Sequence, residues 1–269
     1  MTELTDRPDR CPLLVEKRYE EASVFRPENL LREGRRQKGL PDIPIPEVAL
    51  LDPDGDIVRH LAATGRGRRH MGWACYHTDM WVTDLHGIQV GVVGMAVGAP
   101  FAVLVAEQLA VSGAQLVISI TSAGQITSTA QPPYFLLMDR ALRDEGTSAH
   151  YQPPARWSHL PEHLAKQLTH AFTDLHEPVH LGPSWTTDAP YRETRTAIAA
   201  AEAQGIECVE MEAAALYAYA AARSQPVLCF AHITNTMATA GDDFEKGNDN
   251  GATASLSVAH ATAAALQCP

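Results

Sequence analysis

The sequence predicts a single α/β domain, and three features of its 269 residues lead to that prediction. From residue 87 onward, short apolar runs that are typical of buried strands alternate with longer segments of helical period. Glycine-containing turns separate these segments, and no internal repeat is found among them. An alternation of this kind is typical of one sheet whose parallel strands are joined by crossover helices.

The first unit of the alternation is an apolar run over residues 88–95, followed by a glycine-rich turn that ends at Pro100. A helix is expected to begin there, because proline has no N–H to leave unpaired, and Gly113 marks its end. The next run, 116–120, completes a βαβ unit with a parallel pair of strands. The same pattern then predicts a helix over 160–175, a strand over 179–182, a helix over 193–204, a strand over 206–209, a helix over 211–223, a strand over 227–233 and a helix over 252–266.

Composition and charge exclude several classes of function. The net charge is −11, and no basic face is evident, so we expect no nucleic-acid partner. No apolar run approaches the roughly 20 residues of a membrane span, so we expect no membrane partner. Residues 1–45, rich in Arg, Glu and Pro, are predicted to be an N-terminal extension that packs on the main domain, 46–269, or on a neighbouring subunit.

Cysteines and histidines give no sign of a disulfide or metal site. The five cysteines are an odd number without a CxxC pair, and the polar N-terminus contains no apolar signal segment, which predicts a cytoplasmic protein. The segment from His176 to His180 matches the HExxH pattern, but Pro178 would break the helix that a zinc site needs. The oxygens of residues 241–251 do not follow the calcium-loop spacing, so we expect a mobile loop near the mouth of the site.

Three glutamates surround the junction between the strand over 206–209 and the following helix. Acidic residues are common in the first turn of a helix, and Glu207 is interpreted as such a cap or as a surface residue. Glu210 and Glu212 are unusual because they interrupt an apolar junction. Ligand sites of α/β sheets lie at the carboxyl ends of strands, where a carboxylate can accept hydrogen bonds from two neighbouring sugar hydroxyls.

The run 209–214, Val-Glu-Met-Glu-Ala-Ala, closely resembles the signature of the nucleoside phosphorylase family, which includes uridine phosphorylases, hexameric purine nucleoside phosphorylases and methylthioadenosine nucleosidases. Four further segments resemble the family in the same order: a glycine turn at 94–100, a phosphate and ribose loop at 121–124, a phosphorylase-type segment at 141–151 and a segment over the nucleoside at 186–192. The likeness extends from about Leu51 to the C-terminus.

The resemblance implies a three-layer α/β/α fold with a mixed central sheet, which makes 46–269 the catalytic domain. It implies phosphate-dependent cleavage of the N-glycosidic bond of a nucleoside, giving a free base and a pentose 1-phosphate. Inorganic phosphate would be a co-substrate, and no cofactor or metal is expected. The family also implies a homo-oligomer, either a dimer or a hexamer built as a trimer of dimers.

For the sugar, the resemblance implies that Met211 packs on the ribose while Glu212 holds its 2′- and 3′-hydroxyls, with Glu210 assisting. Cleavage builds positive charge on the sugar, and a nearby carboxylate stabilises that charge, so Glu212 is predicted to be catalytic. Asn235 is the second predicted catalytic residue, because its amide can donate a hydrogen bond to the departing base.

For phosphate, the spacing of four between Gly55 and Arg59 is similar to the family's first phosphate-binding turn. Ser122, supported by Thr121, is the second predicted anchor. The family borrows an arginine across a subunit interface, and Arg69 is the residue assigned to that role. For the base, the predicted contacts are Tyr191, Gly124, Asn235 and Arg195.

The chain departs from the family at two positions. Ser119 stands where many phosphorylases have an arginine. The absence of that arginine removes a charge-assisted contact with phosphate of about 1.5–3 kcal/mol. Pro190 replaces an aromatic residue beside the base. Water could therefore replace phosphate as the nucleophile, making the protein an N-ribohydrolase, or the protein could bind nucleosides without turnover. The replacement arginines considered are Arg66, Arg68, Arg69 and Arg143.

Overall fold

The computed structural model of the protein describes residues 11, 13, 15, 17–234, 246 and 248–267. None of the helices in these ranges combines the length and apolar character that a membrane span requires. Most buried aliphatic and aromatic side chains of these residues form one large core, and a second, smaller cluster contains Trp185, Ala201, Ile206 and Val209.

Within the described residues, eleven strands form one mixed sheet. Their bounds are β1 Val48–Asp52, β2 Gly67–Arg69, β3 Met80–Leu85, β4 Ile88–Gly94, β5 Leu116–Ser122, β6 Gly124–Gln125, β7 Tyr134–Asp144, β8 Trp157–His159, β9 Val179–Thr187, β10 Cys208–Glu210 and β11 Val227–Ile233. The order is β2-β3-β4-β1-β5-β11-β7-β9-β10-β6, with β8 paired to β7. Strands β4, β1, β5 and β11 are parallel, whereas β7 pairs antiparallel with β11.

Two groups of helices cover this sheet, and their bounds are α1 Pro27–Lys38, α2 Asp56–Thr64, α3 Ala99–Val111, α4 Glu162–Gln167, α5 Arg195–Glu202, α6 Ala213–Arg223 and α7 Ala252–Gln267. Helix α3 packs against α1 and α6, whereas α7 packs against α2 and α4. Alanine-rich α6 has eight buried residues, and its small side chains allow close packing on β7 and β11. The predicted α/β fold with a mixed central sheet is confirmed.

Two predicted details of the elements are wrong. Strands β4 and β5 are parallel as expected, but β1 lies between them and pairs with both, so they are not neighbours. The helix predicted over 160–175 ends at Gln167 and continues as turns. There the hydroxyls of Thr169 and Thr173 donate to the carbonyls of Lys166 and His170, and such side-chain bonds compete with the helical pattern.

The predicted N-terminal extension contains helix α1, which the sequence pattern did not indicate. Pro27 begins the helix and Gly39 ends it in the left-handed conformation, with φ 63°. Leu31 is buried, and the Lys38 ammonium donates to the carbonyl of Cys75 at 2.5 Å. The extension therefore packs on the body of its own chain from α1 onward. Its separation from the catalytic domain near residue 45 stays a prediction.

The sheet folds back on itself, and this positions the site. Strand β5 lies in the middle of the strand order and ends at Ser122, yet β6 begins only two residues later and pairs with β10 at the far end of that order. Gly124 is opposite Val209 in this pairing. This pairing brings the end of β5 close to Glu210, which is the last residue of β10 and precedes α6.

Candidate functional site

A cavity of about 520 Å³ lies where the end of β5 meets the end of β10. Its wall contains seven of the predicted site residues, namely Thr121, Ser122, Gly124, Tyr191, Glu210, Met211 and Glu212. They come from the ends of two strands and from the loop before α5. The sugar, phosphate and base predictions thus converge in part on one cavity.

Glu212 is the most deeply buried acid of the wall, with 1% of its surface exposed. One carboxyl oxygen accepts a hydrogen bond from the backbone N–H of Gly98 at 2.7 Å. The other oxygen, Oε2, is buried and has no hydrogen-bond partner among the described residues. Burial, followed by the charge of Glu210, raises the pKa of Glu212 to about 8. A buried acid with one unpartnered oxygen can bind a donor from a ligand.

Glu210 differs from Glu212 in its hydrogen bonds, because both of its carboxyl oxygens have partners within the protein. One oxygen accepts from the hydroxyls of Ser184 and Thr186, and the other accepts from the backbone N–H groups of Glu212 and Ala213 at 2.7 Å each. Burial raises the pKa of Glu210, although these hydrogen bonds act in the opposite direction. Glu210 therefore fixes the start of α6, and its contact with a sugar stays a prediction.

Glu207 is not the surface or cap residue that the sequence suggested. It is buried, and its carboxylate accepts a hydrogen bond from the hydroxyl of Thr129 at 2.9 Å. Gly182 on β9 leaves room for it, since a Cβ at that position would overlap the carboxylate. The neighbouring loop covers Glu207 because β6 pairs with β10, and this pairing is not visible in the local sequence.

Of the predicted phosphate residues, Thr121 and Ser122 line the cavity, whereas Gly55 and Arg59 are not part of its described wall. The Gly55 N–H donates to the carboxylate of Asp52 at 3.0 Å. The Arg59 guanidinium donates to the Asp54 carbonyl and to the Asp56 carboxylate, both at 2.8 Å. Their predicted contact with phosphate stays a prediction.

Sequence reasoning missed Asp54 and Lys246, which line the cavity beside Ser122, the predicted phosphate anchor. The Ser122 N–H donates to the carboxylate of Asp54 at 2.7 Å, and the Lys246 ammonium lies 3.4 Å from the same carboxylate. Lys246 also contacts the Asp56 carboxylate at 2.7 Å. Aspartates at alternate positions 52, 54 and 56 were a visible signal. Lys246 belongs to the loop 241–251, of which residues 241–245 and 247 lie outside the described residues.

The arginines considered as replacements for Ser119 do not line the described wall of the cavity. Ser119 itself is buried in β5 between Leu51 and Cys229 of the neighbouring strands. Arg69 lies on β2 and pairs with Asp79, and the Arg143 guanidinium donates to the hydroxyl of Ser148 at 2.7 Å. The cross-subunit role of Arg69 stays a prediction.

Of the residues predicted to lie near the base, Tyr191 and Pro190 line the cavity together with Glu193. Tyr191 is 99% exposed, whereas Glu193 is half-buried and its pKa is raised by that burial. Arg195 is exposed at the start of α5 and is not in the described wall. Asn235 lies outside the described residues, so its predicted roles in catalysis and base binding stay predictions.

A second cavity of about 830 Å³ adjoins the first and shares Thr234 and Lys246 with it. It is larger, and two polar residues of its wall, His232 and Glu177, are paired with each other at 2.7 Å. The unpartnered oxygen of Glu212 identifies the smaller cavity as the candidate site. The HExxH segment is a loop that enters β9, as predicted, and the described residues contain no cluster of three or more potential metal ligands.

Comparison with known proteins identifies the family. The family model described as the phosphorylase superfamily matches residues 48–268. A guanosine phosphorylase of Halorubrum lacusprofundi is 25% identical over 135 residues, which are 50% of this chain and 56% of that protein. The chain thus matches only about half the length of this curated relative.

Solved structures share the fold. Uridine phosphorylase from Vibrio fischeri ES114 superimposes with a TM-score of 0.69 at 19% identity, covering 85% of this chain and 95% of that one. Its complex with 6-hydroxy-1-naphthoic acid gives a TM-score of 0.68 at 20% identity, covering 83% and 93%. Since the family model matches most of the sequence, from β1 to α7, the chain belongs to the phosphorylase superfamily.

Proposed function

We propose that the protein is a nucleoside phosphorylase that cleaves the N-glycosidic bond with inorganic phosphate as co-substrate and without a cofactor. The relatives described above are named for different nucleosides, guanosine and uridine, and both are named phosphorylases. The observation that carries the proposal is Glu212, a buried acid in a cavity at the ends of two strands, one of whose oxygens has no partner in the part of the chain that the structure describes.

The chemistry needs a group that stabilises a sugar as it becomes cationic. A phosphate oxygen attacks the anomeric carbon while the C–N bond breaks, and the base leaves with the electron pair and takes up a proton. In this scheme the Glu212 carboxylate accepts hydrogen bonds from the sugar hydroxyls and stabilises the positive charge, while Met211 packs on the ribose. Asn235 would donate a hydrogen bond to the departing base.

Nucleoside panels incubated with and without inorganic phosphate test the proposal, with chromatography used to detect free base and pentose 1-phosphate. We expect cleavage that depends on phosphate and yields the sugar phosphate. Equal release of base in phosphate-free buffer, with free pentose as product, would instead show the hydrolysis considered above. Ligand-induced thermal stabilisation without any product would show a silent binding protein.

We further infer a homo-oligomer, a dimer or a trimer of dimers, that acts in the cytoplasm. Apolar Met95 and Val97, 51% and 53% exposed, lie at or beside the cavity, where a second copy would cover them. The free thiols of Cys75, Cys208 and Cys229 fit a reducing compartment. Light scattering coupled to size exclusion should give the mass of two or six chains, and the mass of one chain would contradict this inference.

A further inference from the structure

The backbone N–H of Ser122 donates to an oxyanion of the protein itself. The donor is the predicted phosphate anchor, and its partner is the Asp54 carboxylate at 2.7 Å. Asp54 lines both the 520 Å³ cavity and the small polar space behind it. An N–H that binds a carboxylate oxygen at this distance can bind a phosphate oxygen in the same place. Asp54 thus marks a position for an anion.

A cation faces the same position. The Lys246 ammonium lies 3.4 Å from the Asp54 carboxylate and 2.7 Å from that of Asp56. Asp56 is in turn fixed by Arg59 at 2.8 Å and by the Asn250 amide at 3.2 Å. The charges of the two aspartates raise the pKa of Lys246 against the effect of burial, so the ammonium stays charged at neutral pH. Lys246 would therefore stay in place after Asp54 moved.

We propose that phosphate binds between the Ser122 N–H and the Lys246 ammonium, in the place of the Asp54 carboxylate. The inference rests on the proposed function, because it concerns the co-substrate of that reaction. Lys246 supplies the positive charge that Ser119 cannot supply from β5.

The proposal has a consequence for affinity. Phosphate must displace an internal carboxylate and then lie close to it, and both the competition and the repulsion between like charges weaken binding. Removing the charge of residue 54 should therefore strengthen phosphate binding, whereas removing the charge of residue 246 should weaken it. A simple loss of structure would weaken binding in both cases.

The experiment measures binding of inorganic phosphate to the full chain by calorimetry, without nucleoside and at constant ionic strength. We expect Asp54→Asn to lower the dissociation constant about tenfold or more, and Lys246→Gln to raise it about tenfold or more. Lys246→Arg should stay within a few-fold of the wild type. The matched controls Asp42→Asn and Lys166→Gln, which change exposed residues away from the cavity, should leave it unchanged.

Product analysis of the same variants keeps the two claims separate. In turnover, the KM for phosphate should move with the dissociation constant, while the KM for the nucleoside stays nearly constant. Unchanged or weaker phosphate binding by folded Asp54→Asn, or unchanged binding by Lys246→Gln, would overturn the inference. Free pentose formed without phosphate would overturn the proposed function, even if phosphate binding responded to both substitutions as expected.

Discussion

Glu212 needs different charge states in the free protein and during the proposed reaction. Burial and the nearby charge of Glu210 raise the pKa of Glu212 to about 8, so the carboxyl of the free protein is mostly protonated at neutral pH. A cationic sugar would favour the ionised form. Since kcat/KM reports the ionisation of the free enzyme, we expect it to rise with pH through about 8.

The isosteric change Glu212→Gln tests this expectation, because glutamine keeps the shape and cannot ionise. We predict that kcat/KM falls by about 100-fold or more, the size of losses of transition-state electrostatic contacts, and that its rise near pH 8 disappears. Rates measured from pH 6 to 9 give both results, with Glu202→Gln on exposed α5 as the control. If Glu212→Gln kept the wild-type kcat/KM and pH profile, Glu212 would have no role in the reaction.

Glu193 lines the cavity together with Tyr191, a predicted base contact, and sequence reasoning passed over it. Its half-buried carboxylate can accept two N–H groups, such as those on adjacent atoms of guanine, whereas the single N–H of uracil lies between two carbonyls that would repel it. We predict that the wild type prefers guanosine to uridine and that Glu193→Gln reduces this preference at least several-fold. Relative kcat/KM values measure it, and an unchanged ratio contradicts the assignment.

At the scale of the element, helix α6 begins at a carboxylate rather than at a conventional cap. Glu210 accepts the N–H groups of Glu212 and Ala213 and two side-chain hydroxyls, all of them buried. We predict that Glu210→Ala lowers the free energy of unfolding by about 3 kcal/mol, because several buried donors lose their acceptor. Urea denaturation measures this loss, and Glu202→Ala serves as control. A loss equal to that of the control would show that α6 starts independently of Glu210.

The turn before α3 depends on glycine at position 98. Its φ of 89° and ψ of 145° belong to a region that is disfavoured for residues with a Cβ, and its N–H holds Glu212. We predict that Gly98→Ala lowers stability by about 1–3 kcal/mol and lowers kcat/KM as well. Gly113→Ala, at φ 114° in an open turn after α3, should lower stability alone. Equal kcat/KM values for the two variants would show that the turn at Gly98 does not affect the reaction.

At the scale of the whole molecule, buried acids make stability depend on pH. Burial raises the pKa of Asp52 from 3.8 to about 7 and that of Glu212 from 4.5 to about 8. At a pH between the ordinary and the raised pKa of each group, the folded state binds more protons than the unfolded state. The free energy of unfolding therefore decreases as pH rises through that range. Burial lowers the pKa of His232 from 6.5, so its opposing effect is confined to lower pH.

We therefore predict that the free energy of unfolding decreases from pH 6.5 to 8, by up to about 1.4 kcal/mol per pH unit for each group involved. Urea denaturation at several pH values measures the slope. Glu212→Gln should be less sensitive to pH than the wild type. A free energy that rises across this interval, or an equal slope in the variant, would contradict the assignment of the raised pKa values.

The local sequence pattern was sufficient to predict the alternation of strands and helices. Hydrophobic period and the positions of glycine and proline act on residues that are close together in the chain. It located α3, α6, α7 and β11 and drew attention to Glu210, Met211 and Glu212, which now line one cavity. The helix expected over 160–175 is shorter than predicted, because threonine side chains after it donate hydrogen bonds to the backbone. The hydrophobic period of the sequence does not indicate such hydrogen bonds.

By itself, then, the sequence determined the α/β class, the family likeness and the acidic junction that carries Glu212. Only the tertiary structure decided that β1 separates β4 from β5, that Glu207 is buried, and that Asp54 holds the Ser122 N–H. The physical reason is distance along the chain: Asp54 and Ser122 are 68 residues apart, and Asp56 and Lys246 are 190 apart. Such pairs form only when the sheet closes on itself, and no local periodicity encodes them.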